Sequence, residues 1–325
     1  MGLLVDGHWQ DKWYDTQSTG GGRFVRSEAQ FRHWVTADGS AGPTGEAGFK
    51  AEAGRYQLYV SLACPWASRT LIFRVIKGLR DMIAVSVVHP CMAEHGWTFD
   101  PTPGVTRDPV ADSRYLYELY LRADASYTGR VTVPLLWDLQ RDTIVSNESA
   151  DIIRMFNSAF DSVGAKAGDY APARWLPRID AINAEIYDRV NNGVYKAGFA
   201  TEQAVYEREV RALFAELDRL KHLLSRQRYL LGEHVTEADW RLFTTLIRFD
   251  AVYYGHFKCN LRRLVDYPNL WSYTRELYQW PGVAQTVDFS HIQQHYYRSH
   301  KTINPNGIVP LGPLLDLSRP GDRKL

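Results

Sequence analysis

The stretch YQLYVSLACPWASRTLIFRVIKGLRDMIAVSVV, residues 56–88, decides the fold of this chain. Its first residues alternate apolar and polar side chains, which is typical of a strand. Pro65 then begins a helix whose apolar residues recur at helical spacing as far as Leu79, and a β-branched run follows at 83–88. Two strands joined by a helix form a βαβ unit, which requires a right-handed crossover and a parallel strand pair.

The run RVTVPLLWDLQRDTIVS, residues 130–146, continues this sheet. It contains two strand-like segments separated by the polar residues 138–142, which is the signature of a hairpin. Pro134 would break a central strand unless the Val133–Pro134 peptide is cis or the proline lies at an edge or a bulge. A helix from Glu148 closes this half, so the sequence predicts an α/β domain.

From about Leu176 the apolar residues recur at helical spacing over long stretches, which predicts an all-α second half. Thr236 and Asp239 have the spacing of a capping box at the start of one helix. We therefore predict four segments: an extended N-terminal arm with little regular structure at 1–54, the α/β domain at 55–160, the all-helical domain at 175–298 and a C-terminal tail packed on the surface at 299–325.

Composition excludes several classes of partner. The chain has 325 residues, with 38 Lys and Arg against 37 Asp and Glu, so no charge surplus favours nucleic acid or an anionic membrane. No stretch approaches the roughly 20 apolar residues of a membrane span, and the N-terminal apolar run is too short for a signal peptide. Three cysteines, an odd number, argue against a disulfide framework. We predict a cytoplasmic protein with a small-molecule partner.

Cys64 is the candidate nucleophile. It lies at the predicted start of the first helix, where free backbone N–H groups and the helix dipole lower the pKa of a thiol. Ala67 occupies the position at which a redox pair would place its second cysteine. The alternative is that Cys64 is only a small buried side chain, which is the interpretation we prefer for Cys91 and Cys259.

The sequence does not support a metal site or a nucleotide site. His291 and His295 are four residues apart, as metal ligands on one helix face are, but no carboxylate lies between them, so solvated or hydrogen-bonded histidines are preferred to a metal site. The sequence STGGGR at 18–23 lacks the ending of a phosphate-binding loop and is interpreted as a turn. No dinucleotide fingerprint follows a strand.

The motifs ACPWASRT, TVPLLWD and TIVSNESADIIRMF, together with the Thr236–Asp239 box, resemble those of the glutathione transferases. That resemblance implies a thioredoxin-like N-terminal domain followed by an all-α domain. The segments SLACPWA, NGVYKAGFA, RFDAVY, HFKC and SHKTINPNGI resemble more narrowly the xi-class enzymes, the glutathionyl-hydroquinone reductases. The likeness covers essentially the whole chain.

The resemblance implies a reaction, its partners and an assembly. Cys64 would attack the glutathione sulfur of a glutathionyl-hydroquinone, release the hydroquinone and form a mixed disulfide. A second glutathione would resolve it to glutathione disulfide, which agrees with alanine at position 67. Glutathione is then a co-substrate, no cofactor is bound permanently, and a homodimer is expected. The alternatives are a broader thioltransferase or dehalogenating reductase, and a non-catalytic glutathione-binding scaffold.

The resemblance also implies site residues. In the glutathione site, Val133 would pair its backbone with the peptide, Arg130 would pair with a carboxylate, and Glu148 and Ser149 would bind the γ-glutamyl end. The full expected glutathione site comprises Trp97, Arg130, Val131, Thr132, Val133, Glu148 and Ser149. Each of these has a plain alternative as a packed aromatic, a solvated cation or a helix cap.

Three tyrosines of the second half complete the expected site. Tyr195 would be the proton donor to the leaving aromatic group, and Tyr253 and Tyr296 would hydrogen-bond near the thiolate. The neighbouring tyrosines Tyr254 and Tyr297 leave the register open by one residue. The alternative for any of them is core or interface packing.

Overall fold

The computed structural model describes residues 2–16 and 20–323, and the chain divides into two compact units. In chain order the elements are β1 Leu3–Val5, β2 His8–Gln10, β3 Tyr56–Val60, α1 Pro65–Ile76, β4 Ile83–Val87, α2 Leu116–Ala123, β5 Gly129–Arg130, β6 Leu135–Asp138, β7 Thr143–Ser146, α3 Ser149–Ser158, α4 Leu176–Ile186, α5 Gly193–Gly198, α6 Gln203–Leu223, α7 Glu237–Leu246, α8 Pro268–Tyr278 and α9 Phe289–Ser299. The first unit contains residues 1–13, 27–168 and 286–299, and the second contains 14–26, 169–285 and 300–325.

A four-stranded sheet in the order β4-β3-β6-β7 forms the centre of the first unit. β3 is parallel to β4 and antiparallel to β6, and β7 is antiparallel to β6, so the predicted βαβ unit and hairpin are both present. Every residue of β3 is buried, including Gln57, which donates to the Ser86 hydroxyl at 2.8 Å. The alternating pattern therefore identifies the strand correctly but does not mark a solvent-facing side.

In its described residues, the N-terminal arm contains two strands of three residues each, β1 and β2. β1 pairs antiparallel with β2 and with β5 in a second, three-stranded sheet. Further along, the backbone N–H of His33 donates to the Val145 carbonyl at 2.9 Å, and that of Asn147 donates to the Phe31 carbonyl at 3.2 Å. This pairing covers the outer edge of β7, which would otherwise present unpaired backbone groups.

The second unit is helical, as predicted. The Thr236–Asp239 capping box begins α7, with the Thr236 backbone N–H donating to the Asp239 carboxylate at 2.8 Å. Two short π-helical segments, Tyr187–Asn191 and Phe249–Tyr253, interrupt the regular helices. Sequence periodicity does not reveal them, because a single wider turn displaces the apolar pattern by one residue only.

The C-terminal tail packs on the second unit through charged contacts. Asp322 pairs with Arg275 at 2.7 Å, and Arg323 pairs with Glu276 at 2.6 Å. Gln279 also donates to the carbonyl of Leu317 at 2.7 Å. In the described part of the chain, no helix has the length and apolar character needed to cross a membrane.

The helix α9 belongs to the first unit, although the predicted helical domain extends to residue 298. His291 donates from its ring to the Pro103 carbonyl at 2.8 Å, and His295 donates to the Pro90 carbonyl at 2.9 Å. The sequence could not reveal this, since the contacts join residues about 200 positions apart. The four-segment division stays a prediction of domain organisation, and residues 17–19 of the arm lie outside the described residues.

Candidate active site

Cys64 is the residue immediately before α1, where its side chain acts as the helix cap. The backbone N–H of Ala67 points to the sulfur at 3.5 Å, and the sulfur lies 3.5 Å from the carbonyl oxygen of Val133. Pro65 favours this arrangement because its fixed φ angle suits the first helical position and its missing N–H is not needed there. The thiol is 8 % exposed. This is a nucleophile's position at a helix N-terminus.

The backbone of residues 131–134, between β5 and β6, passes beside Cys64. The Val133–Pro134 peptide is cis, and β6 begins only after it, which resolves the proline in the predicted strand. The hydroxyl of Tyr120 donates to the carbonyl of Thr132 at 2.8 Å and accepts its N–H at 3.2 Å. Both backbone groups of Thr132 are thereby held inside the protein, while Val131 and Val133 are buried.

Arg130 lies at the end of β5 and its guanidinium donates to the backbone carbonyl of Lys12 in the arm. The side chain is half-buried. Its visible contact is therefore with the arm, and the sequence-based expectation that it binds a carboxylate stays a prediction.

Glu148 and Ser149 stand together at the N-terminus of α3. The Glu148 carboxylate caps the helix by accepting the Ala150 N–H at 2.9 Å, and Ser149 is 3 % exposed. The guanidinium of Arg69, which is also buried, donates to the Ser149 hydroxyl at 3.4 Å and stacks on Trp66 with its centre 4.5 Å from the ring centroid. The buried Arg69 cation therefore lies next to the N-terminus of α3. Both the cation and the helix N-terminus favour binding of an anion at this position.

Trp97 and Tyr296 are linked through His295. The Trp97 ring stacks on the His295 ring with centroids 5.0 Å apart, and the Tyr296 ring meets His295 edge-on at 5.2 Å. Trp97 is 5 % exposed and Tyr296 is 1 % exposed. Because α9 packs in the first unit, Tyr296 belongs to the same unit as Cys64.

Tyr195 and Tyr253 lie in the second unit, Tyr195 shortly after one π-helical segment and Tyr253 within the other. Tyr195 follows the first segment in α5, and Tyr253 is the last residue of the second. Their rings meet edge-on with centroids 6.0 Å apart, and both pack on Phe257. π-Helical turns are rare and are often found at functional sites.

Sequence reasoning missed two arginines and one histidine near these residues. Arg69 is recognisable as a charged residue inside the apolar stretch of α1, whereas His295 was interpreted as a solvated or hydrogen-bonded histidine without a place in the site. Arg26 lies 4.8 Å from the centroid of the Tyr195 ring and gave no sequence signal, since its segment has no periodicity. Among the described residues, no group of three or more metal-ligating side chains converges.

The other two cysteines differ from each other. Cys259 is fully buried, and burial raises the pKa of its thiol, in agreement with the prediction of a small packed side chain. Cys91 is only half-buried, and its sulfur lies 3.8 Å from the Gln294 carbonyl. The expectation of a buried Cys91 was wrong, because it lies in the irregular segment that meets α9.

Comparison with known proteins places these features in context. Residues 63–159 match the glutathione S-transferase N-terminal domain, and residues 203–276 match its C-terminal domain. The chain is 60 % identical to the glutathionyl-hydroquinone reductase YqjG of Escherichia coli, over 99 % of this chain and 98 % of that protein. It is 53 % identical to the glutathionyl-hydroquinone reductase PcpF of Sphingobium chlorophenolicum, over 96 % of each.

Solved structures of glutathione transferases also resemble this chain. The glutathione-bound structure of YqjG, described as a glutathione transferase homologue, superposes with a TM-score of 0.91 at 56 % identity, over 98 % of each chain. An Xi-class glutathione transferase from Natrialba magadii superposes with a TM-score of 0.90 at 48 % identity, over 99 % of this chain and 96 % of that one.

Proposed function

This chain belongs to the glutathione transferase family and to its Xi class, and we propose that it is a glutathionyl-hydroquinone reductase. The observation that carries the proposal is the position of Cys64 at the start of α1, with the Ala67 N–H directed at its sulfur. An enzyme that activates glutathione itself needs a hydroxyl donor at this point, whereas a cysteine there favours disulfide chemistry.

The first half of the proposed reaction forms a mixed disulfide. The Cys64 thiolate attacks the glutathione sulfur of the substrate, so an S–S bond forms and the bond between sulfur and the aromatic carbon breaks. The electron pair of that bond stays on the carbon, which takes a proton, and the hydroquinone leaves. The thiolate is oxidised to a disulfide sulfur and the aromatic ring is reduced.

The second half regenerates the thiolate. The thiolate of a second glutathione attacks the glutathionyl sulfur of the mixed disulfide, giving glutathione disulfide and free Cys64. The proton of that glutathione replaces the one given to the hydroquinone. The net change converts one glutathionyl-hydroquinone and one glutathione into hydroquinone and glutathione disulfide, with no resident cofactor.

The glutathione-binding roles follow from chemistry at the ends of the peptide. The N-terminus of α3, with Ser149 and the buried Arg69 behind it, suits the γ-glutamyl carboxylate, and Glu148 suits its ammonium. Val133 offers backbone groups beside Cys64, as in strand addition. Trp97 would contact the peptide, and Arg130 would reach a carboxylate if it leaves the Lys12 carbonyl.

The tyrosine roles rest on the resemblance. We propose Tyr195 as the acid that protonates the aromatic carbon and then recovers its proton from the second glutathione. Tyr253 and Tyr296 would donate hydrogen bonds to the thiolate. Tyr195 follows one π-helical segment and Tyr253 ends the other. Because π-helical turns are often found at functional sites, this supports a functional role for both tyrosines.

We propose the cytoplasm as the site of action and a homodimer as the assembly. Free thiols at Cys64, Cys91 and Cys259 fit a reducing compartment. Ile308, Leu311 and Leu314 expose 68 %, 99 % and 96 % of their surface, which supports burial against a second copy. Light scattering of Leu311→Glu and Leu314→Glu variants should show monomers where the parent chain is dimeric.

The experiment that tests the function follows turnover of a synthetic glutathionyl-hydroquinone with glutathione, together with mass spectrometry of the protein. We expect hydroquinone release that Cys64→Ala abolishes, and a glutathione adduct on Cys64. An adduct without hydroquinone would identify a broader thioltransferase or dehalogenating reductase. Absence of both would indicate the non-catalytic scaffold.

A further inference from the structure

The arm residues 20–26, which we call the covering segment, pack in the second unit against the helix that carries Tyr195. The Thr201 backbone N–H donates to the Gly22 carbonyl at 3.1 Å. Phe24, 5 % exposed, packs on Tyr195 and Phe199 with ring centroids 6.4 Å and 5.2 Å away. The segment is therefore fixed against α5 and the residues that follow it.

Arg26 ends this segment and makes two specific contacts. Its Nε atom donates to the side-chain oxygen of Asn192 at 3.0 Å, and its guanidinium carbon lies 4.8 Å from the centroid of the Tyr195 ring. Asn192 is the residue that directly follows the π-helical segment 187–191. One side chain thus connects the irregular turn with the phenol ring three residues later.

A cation over the face of a phenol affects its two protonation states differently. The neutral ring gains a modest cation–π attraction, whereas the phenolate gains in addition a full opposite charge within about 5 Å. A fixed guanidinium therefore favours the phenolate. This matters for a tyrosine that must hold a negative charge between two proton transfers.

We propose that Arg26 is a positioning residue for Tyr195: it fixes the ring against the π-helical turn and stabilises the phenolate left after proton donation. The inference rests on the proposed role of Tyr195 in the reductase reaction. In the first half-reaction the phenol proton goes to the aromatic carbon, and the phenolate persists beneath the guanidinium. In the second, the proton of the incoming glutathione thiol restores the phenol.

Other charged and titratable groups near Tyr195 lie on α5, on the π-helical segment 187–191, on α6 and after α7. Lys196, the next residue, pairs with Asp188 and lies 4.0 Å from Glu209. Tyr253 meets the Tyr195 ring edge-on, and His256 shares a hydrogen bond of 3.0 Å with His300 beyond Phe257. Arg26 differs from them in placing its guanidinium over the ring face, 4.8 Å from the centroid.

The test titrates Tyr195 directly in the full chain. 3-Fluorotyrosine is placed at position 195, and its fluorine NMR signal is followed with pH in the parent and in Arg26→Gln, Arg26→Lys and Arg23→Gln. We expect Arg26→Gln to raise the titration midpoint by about one pH unit, a tenfold change in the equilibrium. Arg26→Lys should raise it less, and the exposed Arg23 serves as the matched control.

Turnover measurements distinguish a failure of this inference from a failure of the proposed function. Arg26→Gln should lower kcat about tenfold, with KM for glutathione little changed, and should move the alkaline limb of the pH profile upward with the NMR midpoint. An unchanged titration midpoint of Tyr195 in Arg26→Gln overturns the inference. If Arg26→Gln does not fold, an unchanged midpoint in both Arg26→Lys and Asn192→Ala overturns it instead. Full turnover in Tyr195→Phe would refute the proton-donor role, and with it the catalytic use of Arg26.

Discussion

The Nη1 atom of Arg69 lies 3.4 Å from the hydroxyl oxygen of Ser149. A buried cation on α1, the helix that Cys64 caps, therefore contacts the N-terminus of α3. Ser149 is nearly inaccessible and Arg69 is 1 % exposed. Since removing either partner leaves the other buried with one hydrogen bond fewer, the pair should act as a unit in binding an anion.

Ser149→Ala and Arg69→Met should each weaken glutathione binding about tenfold, because a hydrogen bond to a charged group is worth about 1.5–3 kcal/mol. The double variant should lose less than the sum of the two, as expected for coupled residues. Titration calorimetry with glutathione measures both effects. Ser158→Ala, at the exposed far end of α3, is the control, and strict additivity would contradict coupling.

The three thiols should react with iodoacetamide in the order Cys64, Cys91, Cys259. Cys64 is 8 % exposed but has a helix N-terminus at its sulfur, Cys91 is partly exposed, and burial raises the pKa of the Cys259 thiol. Mass spectrometry of peptides from timed samples gives the rates. Denatured protein, in which all three should be labelled together, is the control. Cys259 reacting as fast as Cys64 would refute this order.

Glu276 should make the stability of the second unit dependent on acid pH. Burial alone would raise the pKa of Glu276, but hydrogen bonds from Arg228, Arg323 and Tyr229 outweigh it and hold that pKa below the ordinary value of 4.5. The stabilisation is therefore present above about pH 4.5 and is lost as the pH falls through the lower folded-state value.

Glu276→Gln should then lower the free energy of unfolding by about 2 kcal/mol at pH 7 and flatten its dependence on pH below 5. Urea unfolding at a series of pH values measures this. The exposed Glu233→Gln is the matched control. A Glu276→Gln variant as acid-sensitive as the parent would show that another carboxylate dominates.

Gly22→Ala should open the covering segment, whereas Gly21→Ala should not. Both glycines have a positive φ, +84° and +55°, so both substitutions introduce backbone strain. Only at position 22 would the new Cβ collide with Glu202, approaching its Cβ to 2.8 Å. Limited proteolysis should cut the covering segment, residues 20–26, several-fold faster in Gly22→Ala. Equal rates for the two variants would assign the effect to strain alone.

The sequence predicted the parts of the fold that depend on local pattern. The βαβ unit, the hairpin, the Thr236–Asp239 cap and the long helices follow from periodicity and capping chemistry, and all are present. The Val133–Pro134 peptide is cis, which is one of the options left open for it, but Pro134 precedes β6 and does not lie inside the strand as predicted. The position of Cys64 at the start of α1 was predictable for the same reason, since it depends on the neighbouring Pro65.

Features that depend on distant contacts could not be predicted from local pattern. The pairing of residues 31–33 with β7 and the packing of Arg26 on Tyr195 join segments of low periodicity to elements more than 100 residues away. The placement of α9 depends on His291 and His295 reaching backbone carbonyls, which no spacing rule encodes. The resemblance, rather than the residue pattern, supplied the tyrosines.

The return of α9 to the first unit has a consequence for synthesis on the ribosome. A domain encoded as one uninterrupted stretch can finish folding as soon as it emerges from the exit tunnel. Here the stacking partner of Trp97 is His295, so translation must proceed through α9 before the first unit is complete. In a nascent chain stalled before α9, the Trp97 ring should therefore lack the His295 ring on which it stacks. For the same reason, neither unit can be produced by simply truncating the gene.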